Sequence, residues 1–228
     1  MDFPGLAQRL ASIREAVRFH QAKGGWGHEV RIVAVTKGHG PEAIRAALAA
    51  GLPDIGENRV QEALSKQEQV GGLPVRWHLI GSLQRNKARH AVGRFVLIHS
   101  VDRAELAIEL DRRGAPDTRQ DVLVEVNCSG EPQKGGVEPD ALAGLLEVIA
   151  GLPRLGLRGL MTMAALTNEE RVQRAAFGRL RELRDRMHAA GHSLPELSMG
   201  MSGDYTVAVE EGATMVRLGT LLFGERQP

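Results

Sequence analysis

Residues 31–37, Arg-Ile-Val-Ala-Val-Thr-Lys, form a run of apolar β-formers that ends abruptly on a lysine. A short run without polar alternation predicts a strand buried on both faces, as in parallel sheets. Ahead of it, Leu6, Leu10, Ile13 and Val17 recur at helical spacing, with Arg9, Arg14, Glu15 and Arg18 off that stripe, which predicts an N-terminal packing helix. After it, a Gly-His-Gly-Pro turn leads into a helix carrying Ile44, Ala47 and Leu48 and ending at Gly51. Further strands are predicted at 53–58, 75–80, 95–99, 122–126, 155–161, 196–199 and 214–218. Helical stripes fall between them, the longest through Val172, Ala176, Leu180, Leu183 and Met187.

Strict alternation of strand and helix implies parallel strands joined by right-handed crossovers. Eight such units in 228 residues predict an α/β fold, a single (β/α)8 TIM-type barrel over residues 1–228 with an extra N-terminal helix. A doubly wound open sheet is the competing arrangement, but no G-x-G-x-x-G follows the first strand.

Composition narrows the partners. The formal net charge is +1, so no global field draws the chain to nucleic acid or an anionic membrane. Basic stretches at 85–90 and 171–186 read as solvated helix faces, because only 4% of residues are aromatic and RNA platforms need them. The lone cysteine, Cys128, cannot form an intrachain disulfide; a reducing, cytoplasmic location and a buried, inert thiol are expected. No membrane span, signal peptide or metal-ligand spacing is found, so neither membrane nor metal is expected. No long apolar surface helix stands out, and a monomer is expected.

A barrel brings the C-terminal tips of its strands to one face, where active sites lie. Those tips carry Lys37, Asn58, His78, Asn127, Met161, the segment from Ser198 to Asp204, and Arg217 to Thr220. A lysine at the edge of a core can lose hydration and act as a nucleophile, or can simply extend its head into water. The small residues around Ser202, and Gly219 with Thr220, would let backbone amides approach an anion at the usual phosphate position of barrels; a capped turn is the simpler alternative for the first segment. His78 is expected to hydrogen-bond in the pocket or to be satisfied by a neighbouring carbonyl. Arg217, if it points inward, needs a partner. An amine facing a phosphate cup suggests pyridoxal 5'-phosphate.

Ala34-Val-Thr-Lys37, Gly56-Glu-Asn58 with Gln61-Glu62, Trp77-His-Leu-Ile-Gly-Ser-Leu-Gln-Arg-Asn-Lys87, Gly159-Leu-Met161, Leu197-Ser-Met-Gly-Met-Ser202 and Met215-Val-Arg-Leu-Gly-Thr220 with Phe223-Gly224 run in collinear order along the chain. The set resembles the pyridoxal-phosphate homeostasis proteins, single-domain relatives of the alanine racemase barrel. The resemblance implies a fold type III barrel in which Lys37 carries the cofactor as a Schiff base. Ser198, Ser202, Gly219 and Thr220 would surround the phosphate, Arg217 would face the pyridine nitrogen, and Asn58 and Met161 would line the ring pocket.

It also implies a carrier serving vitamin B6 homeostasis, with pyridoxal-dependent apoenzymes as recipients, and a low-activity racemase of the alanine racemase type as the alternative. A guanidinium opposite the ring nitrogen disfavours the extra proton that would make the ring a strong electron sink, which supports the carrier. The racemase pairs such an arginine with a tyrosine base from a second domain, whereas the lone tyrosine here, Tyr205, is expected at a helix start. One departure is visible. Gly38-His-Gly40 stands where relatives often carry a Thr-Lys-Pro-like segment, leaving Lys134 as the next amine by family position.

Overall fold

The computed structural model describes residues 3–225. Eight parallel strands, β1 (Arg31–Val35), β2 (Asp54–Glu57), β3 (Arg76–Leu79), β4 (Leu97–Val101), β5 (Gln120–Glu125), β6 (Leu155–Met161), β7 (Glu196–Ser198) and β8 (Met215–Leu218), close into a barrel in sequence order. Closure is made by β8 pairing with β1, with Arg31 opposite Met215 and Ala34 opposite Leu218. The expected (β/α)8 barrel is therefore the fold.

The outer layer begins with α1 (Leu6–Gly24), whose buried residues are the four of its apolar stripe. Then come α2 (Pro41–Ala49), α3 (Val60–Gln69), α4 (Ala88–Ala91), α5 (Ala104–Arg113), α6 (Leu142–Ala150), α7 (Glu170–Ala189), α8 (Tyr205–Glu210) and α9 (Thr220–Phe223). Because α8 and α9 span only six and four residues, α1 packs against both and completes the layer there. Its Arg9 Nε donates to the Leu222 carbonyl at 2.9 Å, and Trp26 just beyond it donates to the Glu210 carbonyl at 2.7 Å.

Side chains alternate across each strand, so the outward set joins the helices in one large core. Val33, Leu97, Leu123, Met161 and Met215 form a separate inner cluster. The interior is not uniformly apolar, however, since His78, His99, Ser198 and Arg217 share it. Between β6 and β7 the backbones approach so closely that a Cβ on Gly159, at φ 153°, would lie 1.9 Å from the Glu196 carbonyl oxygen. Only glycine fits there.

Two elements differ from expectation. The fourth strand spans Leu97–Val101, not 95–99, which carries His99 from the expected tip into the strand. The helix expected between the third and fourth strands is reduced to a 3-10 turn, Arg85–Lys87, and the four-residue α4, with Gly93 at φ 73° turning the chain away. The outer core carries the stability. Phe177→Ala removes a fully buried ring and should lower unfolding free energy by about 3–5 kcal/mol. Leu166→Ala, at a side chain 99% exposed, should stay within about 0.5 kcal/mol, both read from urea midpoints.

Candidate functional site

β1 ends two residues before Lys37, in a turn closed by the His39 amide donating to the Thr36 carbonyl at 3.0 Å. Gly38 takes φ 75° in that turn, a left-handed conformation open to glycine at little cost. Since β8 is parallel to β1 and its neighbour, Gly219 and Thr220 leave the barrel on the same rim as Lys37. Gly219 lies against β1: a Cβ there would sit 3.3 Å from the Val35 carbonyl oxygen. Ser202 joins the loops after β7 and β8 by accepting the Leu221 amide at 3.4 Å. Asp204 holds that first loop with its carboxylate on the Met201 amide at 2.5 Å. Among the described residues no protein acceptor takes the backbone amides of Ser202, Gly203 or Thr220. Asn58 stands on the same rim at the end of β2, pressed by Gly81, whose Cβ would meet the Asn58 carbonyl at 2.3 Å.

Beneath this rim lies Arg217. Its Nη1 donates to the Ser198 carbonyl at 2.8 Å and to Ser198 Oγ at 2.7 Å, and its Nη2 donates to the Thr162 carbonyl at 3.0 Å. Burial lowers its pKa to about 10, opposed by Asp204 and Glu125, so it stays cationic at neutral pH. The Ser198 hydroxyl continues to His99 Nδ1 at 2.9 Å, His99 Nε2 to His78 Nδ1 at 3.0 Å, and His78 Nε2 to Asp54 Oδ1 at 2.8 Å, with Arg76 on the other carboxylate oxygen.

Proton positions in this chain are dictated by its end. Burial raises the Asp54 carboxyl, but bonds from His78 and Arg76 outweigh that and hold it ionised. Burial lowers both histidines, which are therefore neutral. An ionised Asp54 accepts only, so His78 donates from Nε2 and accepts at Nδ1; His99 does the same, and Ser198 donates to it. Two expectations are corrected here. Ser198, fully buried, spends its hydroxyl on Arg217 and His99 and does not face an anion at the rim. His78 points down the barrel to Asp54 because residue 78 lies inside β3, one position short of its end.

Met161 is buried in the inner cluster, at the top of β6 beside Glu125 of β5. Glu125 was not anticipated from sequence. Burial, reinforced by Asp102 and opposed by Arg217, raises its carboxyl to about 7. Its signal was only its odd position at the end of an apolar strand. Asn127 is instead structural, its amide donating to the Glu131 carbonyl at 3.1 Å. Lys134 is tied to the Ala164 carbonyl and Glu131, both at 2.6 Å. Cys128 is buried, with its thiol pushed up to about 11 by burial, as expected of an inert cysteine. Tyr205 opens α8 against Gly200. No group of three metal-ligating side chains occurs among the described residues. A separate cleft of about 740 Å3 opens at the opposite mouth, between Arg18, Arg31, Asp54, Arg76 and Glu196.

The sequence profile of the alanine racemase N-terminal domain matches residues 9–227. A pyridoxal phosphate homeostasis protein from Aquifex aeolicus is 45% identical over 223 residues, covering 96% of this chain and 98% of the relative. The chain belongs to the pyridoxal phosphate homeostasis protein family. Another member, from Pseudomonas aeruginosa, is 46% identical over 97% of this chain and 94% of its own. Among solved structures, the family member PipY of Synechococcus elongatus with pyridoxal phosphate bound superposes with TM-score 0.83 at 39% identity, covering 96% of this chain and all of PipY. An alanine racemase from Clostridium difficile superposes with TM-score 0.72 at 16% identity, a likeness of fold.

Glu125 gives a signed pH prediction. An acid whose folded pKa is about 7 keeps its proton while the unfolded chain releases it near 4.5, so it costs stability as pH rises between those values. Glu125→Gln removes that cost. The variant should gain up to about 3 kcal/mol over the parent at pH 8 and lose the advantage near pH 4, as measured by urea unfolding at both. A difference independent of pH would show that the carboxyl ionises normally.

Proposed function

We propose that this protein binds pyridoxal 5'-phosphate and holds it as a Schiff base on Lys37, buffering the reactive aldehyde and releasing it to pyridoxal-dependent apoenzymes. The observation that carries this reading is the shared rim: an amine at the tip of β1 and a cradle of amides after β7 and β8 that have no acceptor among the described residues, brought together where Gly219 packs on Val35. The residues suit the group. Ser202 with the amides of Ser202, Gly203 and Thr220 would take the phosphate, Gly219 leaves room for it, and Asn58 and Met161 would flank the ring. The cofactor supplies an aldehyde that condenses with a primary amine and a ring that can accept electrons when protonated. Relatives that carry the homeostasis name, and the cofactor-bound PipY, support the assignment.

Arg217 argues for holding over turnover. A guanidinium whose bonds run to two carbonyls and a serine keeps its charge and offers the ring nitrogen a cation, which opposes protonation there. Ser198, His99 and His78 then act one level below the cofactor, fixing Arg217. A low-activity racemase is the second reading, favoured by the place of Glu125 at the end of β5, where burial raises its carboxyl to about 7 and it could carry a proton. The reading as a carrier goes with a monomer acting in the cytoplasm.

Added cofactor should give the purified protein a visible absorbance band, and borohydride should fix the adduct to the peptide containing Lys37. Lys37→Ala should lose band and adduct. A protein that stays colourless, or an adduct confined to other lysines, would refute the assignment. Sustained racemisation of an amino acid, lost in both Lys37→Ala and Glu125→Gln, would favour the second reading.

A further inference from the structure

The reactive-lysine turn is held by groups that the binding site itself does not use. Lys66, on α3, is 5% exposed, and its Nζ spends three bonds within the protein. It donates to the Thr36 carbonyl at 2.8 Å, to Glu57 Oε1 at 2.6 Å and to Glu62 Oε1 at 2.7 Å. The two carboxylates reach the same turn. Glu57 Oε1 accepts the Thr36 hydroxyl at 2.5 Å, and Glu62 Oε1 accepts the Gly38 amide at 2.8 Å. Thr36 is thus fixed through its carbonyl and its hydroxyl, and also through its amide, which donates to the Gly56 carbonyl at 3.1 Å. The residues on either side of Lys37 are both tied, through one ammonium, to α3.

Such a cluster is an expensive way to fill space. Ions taken out of water lose hydration that their mutual attraction only partly restores, and an apolar side chain of similar volume is often as stable. Glu57 is fully buried, and its second carboxylate oxygen, Oε2, has no hydrogen-bond partner among the described residues. Burial raises its carboxyl even against the pull of Lys66. The apolar alternative could fill the volume, but it could not donate to the Thr36 carbonyl or gather two acceptors around the turn.

We propose that Lys66, with Glu57 and Glu62, is a positioning device that presents the Lys37 amine to the cofactor aldehyde, acting on the rate of condensation and not on affinity for the phosphate. The inference rests on the Schiff-base reading above. Positioning groups of this kind act by restricting the nucleophile to attack geometries.

The test separates condensation from binding. Pyridoxine 5'-phosphate has the ring and phosphate but no aldehyde, so its affinity reports the cradle alone. In Lys66→Met, the absorbance band with pyridoxal 5'-phosphate should form at least about tenfold more slowly, while pyridoxine 5'-phosphate affinity stays within about twofold of the parent. If the single variant does not fold, Glu57→Gln/Lys66→Met removes both buried charges together and should show the same split. Unchanged condensation in a folded variant overturns the inference and leaves Lys37 as the attachment point. Equal losses of rate and analogue affinity also overturn it, since they mark a merely structural role. A parent protein that forms no band overturns both the underlying reading and this one.

Discussion

A guanidinium 4% exposed inside a barrel must be held by acceptors, and the interior is built around that requirement for Arg217. Two carbonyls and the Ser198 hydroxyl take its protons, and the serine passes the polarity on through His99 and His78 to Asp54 at the other mouth. Each member has one role open to it, because the chain ends in an ionised carboxylate and both imidazoles are neutral. A file of polar groups therefore crosses a core otherwise filled by valine, leucine and methionine. Satisfied in this way, the network fixes side chains more firmly than apolar packing alone.

The same arrangement accounts for the division of labour at the rim. In the proposed site, anion binding would be left to backbone, since the Ser202–Gly203 turn and Thr220 offer amides where the chains approach closely. Arg217 would supply charge from below, with Asp204 and Glu125 favouring its cation. The lysine is supplied from the side, on a turn pinned to α3. On the proposed reading, three independent supports converge on one rim, each rooted in a different part of the fold.

Much of this was legible in the sequence. Short apolar runs mark the strands, β6 occupies the expected 155–161 although Arg158 interrupts its apolar pattern, and the alternation with helices implies the barrel. Lys37, Ser202 and Thr220 were placed on one rim because parallel strands share a C-terminal face, and the structure puts them there. The interior chain was not legible. Whether a polar residue near a strand end stands at the rim or deeper depends on where the strand ends, and β4, running on to Val101, leaves His99 two positions below its tip. Its partner Ser198 lies 99 positions away, which no local pattern encodes. Lys66 was hidden for the opposite reason: on a helix as polar as α3, a lysine reads as solvated, and only its contacts with Glu57 and Thr36 reveal its burial.

On the proposed reading, Arg217 offers the cofactor a persistent cation, and this would make the site a holder of pyridoxal phosphate. The most direct measurement is the nitrogen-15 chemical shift of ring-labelled pyridoxal 5'-phosphate bound to the protein at neutral pH. A shift characteristic of an unprotonated pyridine nitrogen is expected; a shift characteristic of a pyridinium would contradict this role for Arg217.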